Sequence, residues 1–135
     1  MTTFKSIYVV DDAKDYRVLL QTIFSKYLSQ YPLRLFESGD LLTHHLFRGL
    51  EQPGLILLDR HMPGRDGRRT LETLKHHPDW QLVPVVMMSS DTYPEEIQAC
   101  YRCGANSFLR KPVELADLTQ LLAATCQYWL ELNQR

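Results

Sequence analysis

Short apolar runs and longer amphipathic stretches alternate along the whole chain. Lys5 to Val10, Leu33 to Phe36, Leu55 to Leu58, Pro84 to Met88 and Ser107 to Arg110 have the length and apolar character of strands. Between them, residues repeat at helical spacing. Lys14 to Ser29 carries Leu20, Ile23, Phe24 and Tyr27, and a second helix capped by Ser38 or Asp40 would turn Leu41, Leu42, His45 and Leu46 inward. A third follows Asp66-Gly67 with Leu71 and Leu74 inward and stops near Pro78. Thr92-Tyr93-Pro94-Glu95 reads as a capping box that opens a fourth helix, closed by Gly104. Leu115, Leu118, Leu122, Cys126 and Trp129 form the apolar stripe of a fifth. Five strand-helix units with short connections predict an α/β, doubly wound parallel sheet in one domain over 1–135.

The central run breaks into turn chemistry just after Asp59, and in such a sheet the carboxyl ends of the strands form the ligand crevice. The first strand ends there too, on Asp11-Asp12. Three acids converging raise one another's pKa unless a cation offsets them, and Mg2+ is the natural partner for a few carboxylates that leave it several waters. The fourth strand runs into Ser89 and the fifth into Lys111-Pro112, adding a hydroxyl and an ammonium to the same edge. Together these groups predict a phosphoryl site.

In this ordered set the chain resembles the receiver domain of two-component response regulators. An acidic pair follows the first strand, an Asp the third, a Ser the fourth and Lys-Pro the fifth; Met62-Pro63 and Asp66-Gly67 match the turn after the acceptor. The resemblance implies a flavodoxin-like five-stranded sheet in the order 2-1-3-4-5 with five helices. It implies Asp59 as phosphoacceptor and Mg2+ held by Asp11, Asp12, Asp59 and the backbone carbonyl of His61. Ser89 and Lys111 would contact the phosphoryl group, Phe108 would be the aromatic that changes rotamer, and His61, Ser90 and Asp91 would tune its lifetime. The phosphodonor would be a histidine kinase or phosphotransfer protein. The stretch Lys75 to Pro84 and the ending Tyr128-Trp129-Leu130-Glu131 look most like regulators paired with phytochrome-type kinases.

Each residue has a plainer role open to it. Asp11 or Asp12 could cap the first helix, Lys111 could be a surface lysine, Ser89 ordinary loop and Phe108 core. A receiver that only binds partners is a further alternative, although every residue needed for phosphorylation is present. A haloacid-dehalogenase-type phosphohydrolase uses similar parts but needs a second acid two residues after its nucleophile, where this chain has His61. The chain is therefore expected to modify only itself, and not to act as an enzyme on other substrates.

Composition narrows the partners. A net charge of -1, with 23% charged residues, shows no concentrated basic excess for nucleic acid, and no run approaches the ~18 apolar residues of a membrane span. A cytoplasmic protein without an attached output domain is expected. Three cysteines argue against a closed disulfide set, and Cys100-x-x-Cys103 inside a helix reads as structural, as do His44-His45 and His76-His77. A last helix reaching from Leu115 to about Asn133 would be about 28 Å long at ~1.5 Å per residue, and its end should overhang the sheet. Tyr128 and Leu132 on that overhang would join the face of the fourth helix, fifth strand and last helix in a homodimer.

Overall fold

Three strands are buried at every position: β1 (Ile7–Val10), β3 (Leu55–Asp59) and β4 (Val85–Ser89). Continuous apolar runs of this kind belong in a parallel sheet covered on both faces. β2 (Leu33–Phe36) and β5 (Ser107–Arg110) are only partly buried because they are the edges. The computed structural model describes residues 4–49, 51–60 and 67–135. All pairings are parallel and the order is β2-β1-β3-β4-β5, as the resemblance implied.

Alternation along each strand divides the core. Tyr8, Val10, Ile56 and Leu58 point into one apolar cluster, roofed by α2 (Gly39–Phe47), α3 (Gly67–His76) and α4 (Pro94–Arg102) through Leu42, Leu46, Leu71, Leu74 and Cys100. Ile7, Val9, Leu55 and Leu57 point into the other, roofed by α1 (Lys14–Tyr27) and α5 (Leu115–Cys126) through Leu20, Ile23, Phe24, Leu118, Leu122 and Cys126. Each fully buried aliphatic side chain contributes about 1.5–3 kcal/mol, so the two layers dominate stability.

Local signals were met unevenly. Ser38 caps α2, its hydroxyl accepting from the Leu41 N–H at 3.1 Å. Gly104 takes the positive φ of +107° that ends α4. The capping box at Thr92 does not form: Tyr93 is the N-cap without a side-chain bond, and its carbonyl accepts from Glu96 and Ile97. Tyr27, Leu41 and Leu115, expected to face inward, are 57%, 46% and 56% exposed. Tyr27 is the last residue of α1, Leu115 the first of α5, and Leu41 lies in the first turn of α2, so periodicity alone carried the stripe to helix ends that the core does not cover.

The largest departure is at the C-terminal end. α5 stops at Cys126 and continues as a π-helical turn over Gln127–Leu132, closed by Asn133 N–H to the Tyr128 carbonyl at 2.7 Å. Trp129 meets the α1/α5 core as its place in the apolar stripe predicts, and across the wider turn Leu130 packs there as well, so the segment does not overhang freely. Tyr31 hydrogen-bonds Glu131, and Arg135 donates to the Leu82 carbonyl at 3.1 Å. Tyr128 and Leu132 remain exposed at 51% and 61%.

Candidate functional site

Register lines up the strand ends. Val10 lies opposite Leu58, Asp59 opposite Met88, and Ser89 opposite Arg110, so the residues just beyond β1, β3, β4 and β5 share one rim. Carboxylate oxygens of Asp11, Asp12 and Asp59 all lie within 4.8 Å of one another. Asp11 and Asp59 are buried, at 2% and 8% exposure, whereas Asp12 opens to solvent. Hard oxygens gathered this closely, with one side open for water, fit a divalent ion such as Mg2+.

Lys111 supplies a cation to this cluster. Its ammonium lies 2.7 Å from Asp11 Oδ2 and 3.5 Å from Asp59 Oδ1, and its position is set by the Lys111 N–H donating to the Ser89 carbonyl at 2.9 Å. Asp11 is not a helix cap: α1 has Ala13 as its N-cap with no side-chain bond, and Asp11 Oδ1 accepts from the Ala13 N–H at 2.9 Å. Its second oxygen is thereby aimed at Lys111. Ser89 is fully buried, and its hydroxyl accepts from the Asp91 N–H at 3.1 Å; Ser90 and Asp91 are exposed. Phe108 is half-buried against the α2/α3/α4 core. His61, Met62-Pro63 and Asp66 lie outside the described residues.

Glycine at the start of α3 has a steric reason. A Cβ on Gly67 would stand 2.3 Å from the Asp59 carbonyl oxygen and 2.8 Å from Arg60 Cα, both backbone atoms that cannot swing away. The Gly67 N–H instead donates to the Arg60 carbonyl at 3.1 Å, tying the start of α3 to the end of β3.

The match to the response regulator receiver domain family spans residues 7–123. The chain belongs to that family. Response regulator Rcp1 of Synechocystis sp. is 29% identical over 132 residues, spanning 94% of this chain and 90% of that protein. The two-component response regulator ORR6 of Oryza sativa subsp. japonica is 33% identical over 116 residues, 85% of this chain and 67% of that one. Among solved structures, the Mn2+-bound form of Rcp1 superposes with a TM-score of 0.84 at 28% identity, covering 96% of this chain and 97% of its own. The phosphorylated cyanobacterial phytochrome response regulator RcpA superposes at 0.87 and 26% identity, covering 96% of each chain. The receiver is thus a signalling module of two-component systems.

Four side chains around this receiver's rim went unnoticed in the sequence. The Tyr16 ring lies 4.3 Å from the Lys111 ammonium, and its hydroxyl is buried without a hydrogen-bond partner among the described residues. Burial, and then the charges of Asp11 and Asp59, hold that phenol protonated far above the usual range. Arg17 donates to the Asp11 carbonyl at 2.8 Å. Arg60, one residue past Asp59, pairs with Glu96 on α4 at 3.0 Å, and the Tyr101 hydroxyl accepts the Phe108 N–H at 3.1 Å on the outer edge of β5. Tyr16 and Arg17 fall in the first turns of α1, close to Asp11, and helical geometry alone could have flagged them. The Arg60 and Tyr101 contacts span 36 and 7 residues and carry no local signal.

Proposed function

We propose that Asp59 accepts a phosphoryl group from a histidine kinase or phosphotransfer protein. The observation carrying this reading is the Asp59 carboxylate at the end of β3, within 4.8 Å of Asp11 and Asp12 oxygens and 3.5 Å from the Lys111 ammonium. An Asp59 oxygen attacks the phosphorus of a phosphohistidine, the phosphorus–nitrogen bond breaks, and the electron pair leaves with the imidazole. Asp11, Asp12 and Asp59 would hold Mg2+, with the His61 carbonyl as the family's further ligand, and the bound ion would supply neutralisation of negative charge at the site. Lys111, already beside both buried acids, contacts a second phosphoryl oxygen. The resulting acyl phosphate is open to hydrolysis, which limits the signal in time.

The Ser89 hydroxyl exchanges its bond with the Asp91 N–H for one to the phosphoryl group, drawing the loop before Tyr93 inward and leaving room for Phe108 to turn in. His61, Ser90 and Asp91 tune hydrolysis, a role supported for Ser90 and Asp91 by their exposure on the rim. The α4-β5-α5 face is the output surface, with Tyr128 and Leu132 as homodimer contacts, and the protein acts in the cytoplasm. Likeness to RcpA and Rcp1 supports a phytochrome-type kinase as the donor.

Acetyl phosphate or a phosphohistidine donor with Mg2+ should label the wild type, and Asp59→Asn should abolish labelling while preserving the fold. Labelling of that variant at the wild-type level would sink the assignment. Sedimentation of the wild type and a Tyr128→Glu/Leu132→Glu variant, with and without a phosphoryl analogue, tests the dimer; a monomer in all four samples removes it.

A further inference from the structure

On the edge of the sheet beside β2, Arg17 of α1, Arg34 of β2, His44 and His45 of α2 and Arg48 just after it line one groove of about 420 Å³, with Glu37 as the single acid among the described lining residues. Glu37 is 3.8 Å from Arg17, and no carboxylate partner is found for Arg34 or Arg48 among the described residues. In a chain of net charge -1, such a concentration of positive groups is local. Its field is felt within the protein: burial chiefly, and then Arg34, Arg48 and His44, hold His45 below the usual imidazole range.

The backbone beside this groove is open. The Pro32 carbonyl accepts from Ile7 N–H and the Phe36 carbonyl from Asp11 N–H, so Leu33 and Leu35, which alternate with them, turn their amide groups away from β1. Among the described residues, β2 has no strand on that side. Arg34 and Phe36 lie on the α2 face of the sheet with His44, His45 and Arg48, while Leu33 and Leu35 lie on the α1 face. One cation on a short edge strand is the usual guard against unwanted pairing, but a guard does not need cationic side chains converging from three elements.

We propose that this edge is a docking site for an extended acidic segment of a partner protein, added as a sixth strand beside β2. Its main chain pairs with Leu33 and Leu35. Its carboxylates alternate onto the α2 face, toward Arg34 and Arg48, and its apolar residues fall on the α1 face over Leu33 and Leu35. Strand addition supplies affinity through main-chain hydrogen bonds, and the alternate side chains supply specificity. The groove lies across the sheet from the α4-β5-α5 face, so both surfaces can be engaged at once.

The probe is a fluorescein-labelled octapeptide of alternating Glu and Val, compared with its Lys/Val counterpart, a Glu/Pro peptide unable to pair as a strand, ATP, and vesicles containing anionic lipid. The Glu/Val peptide should bind, weaken as salt rises from about 50 to 300 mM, and shift and protect the amides of Leu33 and Leu35. Arg34→Glu/Arg48→Glu should weaken binding by about tenfold or more, whereas labelling by acetyl phosphate stays unchanged and reports an intact fold; Arg48→Ala should give a smaller loss in the same direction. No binding of the Glu/Val peptide overturns the proposal. Equal binding of the Glu/Pro peptide or of the charge-reversed variant, binding without change at Leu33 and Leu35, or binding confined to ATP or vesicles does so too.

Discussion

Arg60, the residue after Asp59, holds Glu96 of α4 at 3.0 Å, so the end of β3 and the helix of the proposed output face are joined by an ion pair. Both side chains are partly covered, at 16% and 31% exposure, so the pair is screened less than a surface one but not enclosed. A double-mutant cycle of Arg60→Ala and Glu96→Ala should give a coupling of about 0.5–1 kcal/mol in urea unfolding. Arg60→Ala should also speed amide exchange in α4 without preventing phosphorylation, and the swapped pair Arg60→Glu/Glu96→Arg should restore part of the protection. Unaltered exchange in α4 would detach this contact from signalling.

Lys111 offsets two buried carboxylates, and Lys111→Met leaves Asp11 and Asp59 facing each other without it. Removing one partner of a buried ionic group costs about 3–5 kcal/mol, and this site should show a loss toward the lower figure when divalent ions are chelated. Added Mg2+ should recover part of that stability by occupying the acidic cluster. Denaturant melts with EDTA and with Mg2+ make the comparison, and an identical loss in both would count against metal binding there.

Gly67→Ala places a methyl against the Asp59 carbonyl oxygen, where only 2.3 Å is available. Backbone must move, at a cost of about 1–3 kcal/mol, and the movement falls on Asp59, the proposed acceptor. Phosphorylation should therefore slow along with the loss of stability.

Alkaline pH should destabilise the fold through Cys126. Burial chiefly, and then the Glu131 carboxylate, push its thiol from 9.0 up to about 12. The native state keeps a proton that the unfolded chain gives up, so this contribution is complete below pH 9 and declines as pH climbs toward about 12. Unfolding free energies measured across that range should fall less steeply for Cys126→Ala. At neutral pH iodoacetamide should reach Cys103 first, because Cys100 and Cys126 are buried.

Strand and helix positions were legible because burial on a parallel sheet demands runs such as Ile7–Val10 and Leu55–Leu58, and demands helical repeats such as Leu20, Ile23 and Phe24 between them. The rim acids, Ser89 and Lys111 were legible because each sits at the end of such a run, and strand ends of a doubly wound sheet share an edge. Tyr27, Leu41 and Leu115 were misjudged because periodicity gives a direction around the helix and not the width of what covers it.

Order along the chain, the placement of turns and the chemical types gathered at the strand ends were thus determined by the sequence itself, since each follows from local periodicity and short-range sterics. Which oxygen of Asp11 meets Lys111, how Arg60 reaches Glu96, and how the last turn widens so that Leu130 joins Trp129 on the core were decided only in three dimensions. Those contacts join residues as far apart as 100 positions, as Lys111 and Asp11 are, and no local preference specifies them. They exist because the packed sheet fixes the distances between strand ends and helices, and each side chain then takes the rotamer that satisfies its charge or apolar surface within those distances.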